Sequence, residues 1–391
     1  MLANKFKLYP NKEQEEKLEF ALDTCRQAYN MMLGELNNQI VIDKAEIQAM
    51  LPDLKICEPR FKEVYSKTLQ YECYRLFSNF SALRVLKGNH RKVGRLRFKG
   101  KGWFKTFSYN QSGFSISDEG KRYTTLHLSK IGDIRMRIGK KQNRPKGKVK
   151  QITIKKTNTN KWFAFVISDE KFKKEKRIYK KVGIDLGLEN YVYDSDGNHF
   201  DSPKYLREGE DRLKWYHKEL SRTKKGSNNR QKTKLRLSKV YEHIENQRLD
   251  FCHKLSHYYV KNYDFIAVED LQIPNMVQNH HLSKSILDNS WSCFTRFLSY
   301  KVERTDKKLV WVNPNYTSQI CSSCGRLVKK SLATRTHKCE CGLKIHRDYN
   351  SAKVILSIGI GKELPKYTPV KIRSLLENEQ VMVGEAGSHL R

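Results

Sequence analysis

No window of the 391-residue chain approaches the ~18 consecutive apolar residues that a membrane-spanning helix needs. The opening segment "MLANKFKLYPNKEQ" also has no apolar run of signal-peptide length, so a cytoplasmic protein is expected. Acidic residues are scarce beside basic ones: 42 Asp and Glu face 76 Lys and Arg, which leaves a formal charge of +34 and a sequence pI near 9.7. Such an excess needs a polyanion to explain it. The basic residues are spread through "RKVGRLRFKGKGWFK", "GKKQNRPKGKVK" and "SRTKKGSNNRQKTKLR", not gathered on one amphipathic helix or beside an apolar span. That distribution argues against a membrane surface and for nucleic acid. A disulfide framework is missing as well. The nine cysteines are odd in number and four crowd between Cys321 and Cys341, a pattern of metal ligands in a reducing compartment. Cys25, Cys57, Cys73, Cys252 and Cys293 sit in helical or apolar contexts and are expected to be small buried hydrophobes. No internal repeat of about 20–50 residues is visible.

What remains is a chain long enough for two or three domains. Asn11 with Gln14 forms a capping box after Pro10, and Leu18, Leu22, Cys25, Tyr29, Met32 and Leu36 recur at helical spacing, so residues 11 to about 90 read as helical. From about 95 the pattern changes to short alternating, β-branched segments, among them "KTFSYNQSGFSI", "TTLHLSKIGDIRMRI", "VKQITIKKT" and "KWFAFVISDE". These predict a small antiparallel barrel or sandwich. The basic stretch at 170–181 reads as a linker, and "VGIDLGLENYVYDSDGNHF" as two strands joined by a Gly turn. A helical pair from about 205 to 262, interrupted at "KKGSNNR", then leads to the buried strand "DFIAVEDL". Residues 363–391 lose periodicity and are expected to be a disordered tail.

Cys321 and Cys324 are separated by two residues, and Cys339 and Cys341 by one. Four soft thiolates in two close pairs suit tetrahedral Zn²⁺, each pair biting the ion from a tight turn. With all four positions filled by protein the site would be structural. His337 and His346 stand by as substitute ligands should the shorter bite be strained.

Cleaving a phosphodiester with two Mg²⁺ ions requires about three carboxylates converging from separate elements. Asp185 ends the apolar run "KVGID", Glu269 ends "FIAVE", and Asp348 begins the helical segment "RDYNSAKVILSI". Singly, they could be a turn residue, a solvated strand end and a helix cap. The order strand acid, strand acid, helix acid is nonetheless the layout of a ribonuclease H-like nuclease, and it occurs in a chain charged to bind polyanions.

The blocks "VGIDLGLENYV", "RQKTKLRLSKVYEHIENQRLDFCHKLSHYYVKNYDFIAVEDL", "NPNYTSQICSSCG" and "HRDYNSA", with the opening "KFKLYPNKEQEEKLEFALDTCRQAYN", resemble those of TnpB. TnpB is the accessory nuclease of bacterial insertion sequences and a relative of compact type V CRISPR effectors. The resemblance runs over residues 1–360. It implies an RNA-guided DNA endonuclease of a bacterium or archaeon, with a guide RNA from the transposon end and target double-stranded DNA as partners and no membrane. It also implies a single RuvC-type site with two Mg²⁺ ions, one activating a water and the other stabilising the leaving 3′ oxygen, and one structural Zn²⁺. The fold expected is multidomain α+β. A helical recognition domain spans 11–94, and an antiparallel β-barrel wedge domain combines 1–10 with 95–178. A ribonuclease H-like (RuvC) α/β nuclease domain follows at 180–318 and 344–362, with a zinc ribbon inserted at 319–343. Matched residue by residue, the metal-binding acids fall on Asp185, Glu269 and Asp348, and the zinc cysteines on Cys321, Cys324, Cys339 and Cys341; Asp270 is not carried over. A block often written Asp-Arg-Asp reads His346-Arg347-Asp348 here, Ser351 replaces a common Ala, and the second zinc pair has a one-residue spacer. Arg95, Arg97 and Lys99, beside Phe98 and Trp103, are expected to meet phosphates and bases. Three rivals are a transposase that works without RNA, a guided binder with a dead nuclease, and a sugar-kinase or actin-like ATPase with the same "IDLG" turn. The zinc pairs and the charge argue against the last.

Overall fold

The computed structural model describes residues 2–39, 42–117, 122–139, 145, 147–170, 179–331 and 334–361. The tail expected at 363–391 and most of the linker expected at 170–181 lie outside the described residues. Two compact units meet in sequence near residue 171.

The first unit opens with strand β1 (Leu2–Tyr9) and helix α1 (Lys12–Asn38). The capping box forms: the Gln14 N–H donates to Asn11 Oδ1 at 2.8 Å and the Asn11 N–H donates to Gln14 Oε1 at 3.0 Å, satisfying two of the free donors at the helix start. α2 (Lys44–Cys57), a single 3₁₀ turn at Pro59–Glu63 and α3 (Ser66–Gly88) complete the helical part. Six further strands follow: β2 (Thr106–Asn110), β3 (Phe114–Ile116), β4 (Tyr123–Leu128), β5 (Gly132–Arg137), β6 (Val149–Lys156) and β7 (Trp162–Ser168). They form one wholly antiparallel sheet in the order β2-β6-β7-β1-β5-β4-β3, so the N-terminal strand lies at its centre. Strict alternation of buried and half-buried residues along β7 gives the sheet one core face, and Phe6, Leu8, Ile134, Met136, Ile152 and Ile154 join the apolar stripe of α1 beneath it. The sheet curls into a nearly closed barrel, and the Tyr109 hydroxyl on edge strand β2 donates to the Ser129 carbonyl beyond β4 at 2.8 Å.

The second unit begins with β8 (Lys181–Leu186), β9 (Asn190–Asp194) and β10 (His199–Asp201). The reading of two strands here is corrected to three. Asp194 accepts from the backbone N–H groups of Asp196 and Asn198, and this side-chain-built turn reverses the chain into a short edge strand too brief for alternation to announce. The hairpin α4 (Tyr205–Arg222) and α5 (Asn228–Asn262) comes next, followed by β11 (Phe265–Glu269), α6 (Ile273–Met276), α7 (His280–Asn289), α8 (Trp291–Val302) and β12 (Lys308–Val312). A small hairpin, β13 (Thr336–Lys338) with β14 (Lys344–His346), precedes α9 (Arg347–Gly359). The main sheet has the order β10-β9-β8-β11-β12, with β8, β11 and β12 parallel. Helices α5 and α8 cover one face through Val182, Ile184, Ile266 and Val268, while α9 covers the other over Ala267, Val310 and Val312.

Of the five cysteines expected to be buried, Cys25, Cys73 and Cys252 are buried and Cys293 is half-buried. Cys57 is exposed, because the last turn of α2 presents it to solvent while Leu54 takes the core position. No helix among the described residues is long and apolar enough to cross a membrane.

Candidate functional site

The three acids meet where parallel strands end beneath a helix. The last paired residues of β8 and β11 are Ile184 and Val268, so Asp185 and Glu269 come next, side by side on strands about 4.8 Å apart. Strand alternation turns both to the face that carries Gly183 and Ala267, the face covered by α9. Asp348 is the second residue of α9. A Cβ added to Gly187, in the turn after Asp185, would lie 3.9 Å from Asp348 Oδ2, which places that carboxylate over the same strand ends.

Glycine makes this approach possible. A Cβ at Gly183 would lie 2.2 Å from the Ala352 carbonyl oxygen and 2.6 Å from the Leu356 nitrogen, so α9 rests directly on the β8 backbone. At Gly359 a Cβ would fall 2.6 Å from that of Ala267. All three distances are shorter than real Cβ contacts.

Asp348 does not cap its own helix. The cap is His346, whose Nδ1 accepts from the Asp348 N–H at 3.3 Å and whose ring stacks on Tyr193 at 5.1 Å and 15°. Tyr193 faces Asp185 across the β8–β9 pair. His346 is thus a positioning group at the site and not a zinc ligand, which corrects the expectation that it could stand in for a cysteine.

Glu269 and Asp348 are each 6 % exposed, and Asp185 is half-buried. Burial first, and then the charges of Glu269 and Asp348, drive the Asp185 carboxyl well above the usual range. Burial also pushes Glu269 up to about 7, with Asp348 adding to the shift and the Thr317 hydrogen bond opposing it. Among the described residues the close cation on the three is Arg347, whose Nε lies 3.3 Å from Asp348 Oδ1. One guanidinium beside three carboxylates near enough for their charges to interact leaves an all-oxygen donor set short of positive charge, which suits a hard divalent cation. Strand alternation turns Asp270 to the opposite face from Glu269; it lines a groove of about 430 Å³ along α8 with Arg296, Tyr300 and Trp311, a groove that Glu269 also borders.

Several supporting residues carry no sequence signal of their own. The Thr317 hydroxyl donates to Glu269 Oε1 at 2.5 Å. Asn289, at the end of α7, donates to the Gly187 carbonyl at 3.2 Å and accepts from Ser202 at 2.5 Å, fixing the turn that follows Asp185. Buried Asn350 accepts from the Ser322 N–H at 2.9 Å and donates to the Ile320 carbonyl at 2.7 Å. The only hint of them in the sequence is a set of isolated polar residues beside apolar runs.

Asn350 leads to the cysteines. The four Sγ atoms of Cys321, Cys324, Cys339 and Cys341 all lie within 4.8 Å of one another, with Cys321 and Cys341 3.7 Å apart and Cys324 and Cys339 3.5 Å apart. A tetrahedral Zn²⁺ with Zn–S bonds of about 2.3 Å separates its sulfurs by about 3.8 Å, so the cluster has the dimensions of such a site. Gly325 (φ 78°) and Gly342 (φ 90°) take the left-handed conformation that closes each turn. His337 is not part of the cluster; its buried ring faces Lys330, and burial holds its pKa down at about 4. The ribbon is tied to α9 by Asn350, by packing of Ile320 on Val354, and by the Arg347 N–H donating to the Arg335 carbonyl at 2.7 Å.

Arg95, Arg97 and Lys99 lie in the first unit, in the irregular segment between α3 and β2. Arg95 and Arg97 are exposed and Lys99 is half-buried.

Three family models match. One described as a helix-turn-helix domain covers residues 1–40, one described as a probable transposase covers 155–280, and one described as the Cas12f1-like TNB domain covers 291–355. Two curated relatives align nearly end to end. The "Putative RNA-guided DNA endonuclease" of Streptomyces pristinaespiralis is 28% identical over 92% of this chain and 89% of its own. The "Putative RNA-guided DNA endonuclease InsQ" of Escherichia coli K12 is 28% identical over 91% of this chain and 92% of its own. These matches bear out the resemblance to TnpB. The chain's fold is shared with Cas12f1, whose structure in complex with sgRNA and target DNA superposes with a TM-score of 0.54 at 15% identity, covering 88% of this chain and 83% of that one. In this TnpB-like chain the residues matched as helix-turn-helix are a strand and one uninterrupted helix, β1 and α1.

Proposed function

We propose that the chain is an RNA-guided DNA endonuclease of a transposable element, with guide RNA and target double-stranded DNA as partners, and that it cuts at the Asp185, Glu269 and Asp348 site. The convergence of these three acids at one sheet end carries the reading, and the full-length similarity to proteins named for that activity supports it. Asp185, Glu269 and Asp348 would hold two Mg²⁺ ions, which when bound supply an activated water and charge stabilisation for the leaving oxygen. The chain's own residues prepare the site: Thr317 orients Glu269, His346 and the α9 backbone aim Asp348, and Asn289 fixes the turn beside Asp185. The second unit would then correspond to the RuvC-like nuclease with its zinc ribbon, and the first to the recognition and wedge parts.

The test begins with sequencing of the RNA that co-purifies, followed by cleavage of DNA matched to a rewritten guide. Asp185→Ala, Glu269→Ala and Asp348→Ala should each abolish cutting with Mg²⁺ while RNA and DNA stay bound. Near-normal cutting by Glu269→Ala would sink the assignment, and an effect confined to Asp270→Ala would move it one residue on. The description of the matching family model as a transposase favours a second reading, strand joining without RNA. Protein free of RNA that yields joined products would establish that reading instead.

A further inference from the structure

The segment from Asn89 to Lys105 has no helix or strand, yet it is anchored at three points. The Lys99 N–H donates to Asn30 Oδ1 at 2.7 Å, and the Lys99 carbonyl accepts from Asn30 Nδ2 at 3.0 Å and from Arg26 Nη1 at 3.2 Å, all on α1. Leu96 packs on the core, and Phe104 is buried against Tyr29 with the Arg75 guanidinium 4.8 Å from its ring. Between the anchors two aromatic rings face solvent: Phe98 is 61% exposed and Trp103 is 84% exposed. A turn closed by the Trp103 N–H on the Gly100 carbonyl at 3.1 Å holds the indole out. The segment carries seven Lys or Arg residues and no Asp or Glu.

Apolar rings held out of the core by a pinned backbone, amid cations alone, match the chemistry of bases together with phosphates. We infer that Trp103 and Phe98 stack on unpaired bases of the bound RNA while Arg95, Arg97 and Lys101 meet its phosphates. RNA is favoured over target DNA because an exposed ring is covered by a base not already stacked on both sides. Target DNA arrives as a duplex, whereas a folded RNA presents loops, bulges and junctions. The inference rests on the reading that the chain holds RNA.

Full-length protein is stripped of its RNA and rebound to that RNA at several salt concentrations. Trp103→Ala and Phe98→Ala should weaken binding by about fivefold to a hundredfold each, with the salt slope unchanged, since stacking releases no counterions. Trp103→Phe should bind nearly as wild type. Arg95→Ala should instead flatten the slope by about 0.7 for each phosphate that is no longer neutralised. Ultraviolet cross-linking should join RNA to the peptide containing Trp103, and RNA-loaded Trp103→Ala should bind matched duplex normally. Unchanged RNA affinity in the Trp103→Ala, Phe98→Ala double variant would overturn the inference. So would a loss seen only in duplex binding by the loaded complex, or a fall in the melting temperature of the free variant. Wild-type protein that carries no RNA would refute the underlying reading instead, and is scored before any variant.

Discussion

On the proposed reading, three neighbouring carboxylates beside one guanidinium hold unfavourable charge that a bound cation would relieve. Asp185 and Glu269 have carboxyls raised above their unfolded values near 4, so the folded protein holds their protons more tightly than the unfolded chain does. Their contribution to stability is present below about pH 4 and is lost as the pH rises through about 7, where Glu269 ionises. Mg²⁺ should reverse that loss by replacing the protons. The rise in melting temperature on adding Mg²⁺ is therefore expected to be larger at about pH 8 than at about pH 6. In Asp185→Asn and Glu269→Gln the increment should shrink and lose its pH dependence. Taking the difference with and without Mg²⁺ cancels the titration of remote groups such as buried Glu72, also raised to about 7. An increment independent of pH in the wild type would mean that the acids bind no cation.

At the scale of elements, the critical joint is α9 lying on β8. Gly183→Ala should cost about 1–3 kcal/mol or more, because the new methyl meets helix backbone, which cannot rotate away as a side chain would. Cleavage should fall with all three acids intact, and thermal melting with a cleavage assay would show it. The ribbon acts on the same helix from the other side. Asn350→Ala leaves the Ser322 N–H and the Ile320 carbonyl without their partner, at about 1–3 kcal/mol, and should lower cleavage while zinc stays bound. Cys321→Ser with Cys324→Ser should lose the zinc, about one ion per chain by metal analysis, and destabilise α9 in step. A zinc-free variant with wild-type stability and cutting would show that the ribbon braces nothing.

Which of these elements were legible follows from the range of the signal. Local patterns reveal α1 by its capping box, β7 by its alternation and β11 by its apolar run into Glu269. Gly183 reads only as a small residue in a strand, since the helix that demands it begins at Arg347, far along the chain. Thr317 and Asn350 are equally silent, their partners being Glu269 and the Cys321 turn. β10 is missed because three residues set by the Asp194 turn are too few to show a period.

Over the whole molecule the charge of +34 is distributed, not focused. Arg91, Lys92, Arg95, Arg97 and Lys101 are exposed in the first unit, and in the second Arg212, Arg236 and Lys239 line a groove of about 310 Å³ between α4 and α5. Binding through many such cations should give a straight line of log affinity against log salt, falling by about 0.9 per duplex phosphate and about 0.7 per single-stranded one. Titration of the RNA-loaded protein with DNA across salt concentrations measures it, and a nearly flat line would exclude the dispersed cations as the main source of affinity.

The position of α9 also bears on when such an enzyme becomes dangerous to its host. Asp185 and Glu269 lie on neighbouring strands, but Asp348 follows the ribbon and belongs to the last described helix. On the proposed reading, a chain still emerging from the ribosome, or one truncated before the ribbon, can carry the basic surfaces of the first unit and two of the three acids. It can therefore hold nucleic acid before it can cut it.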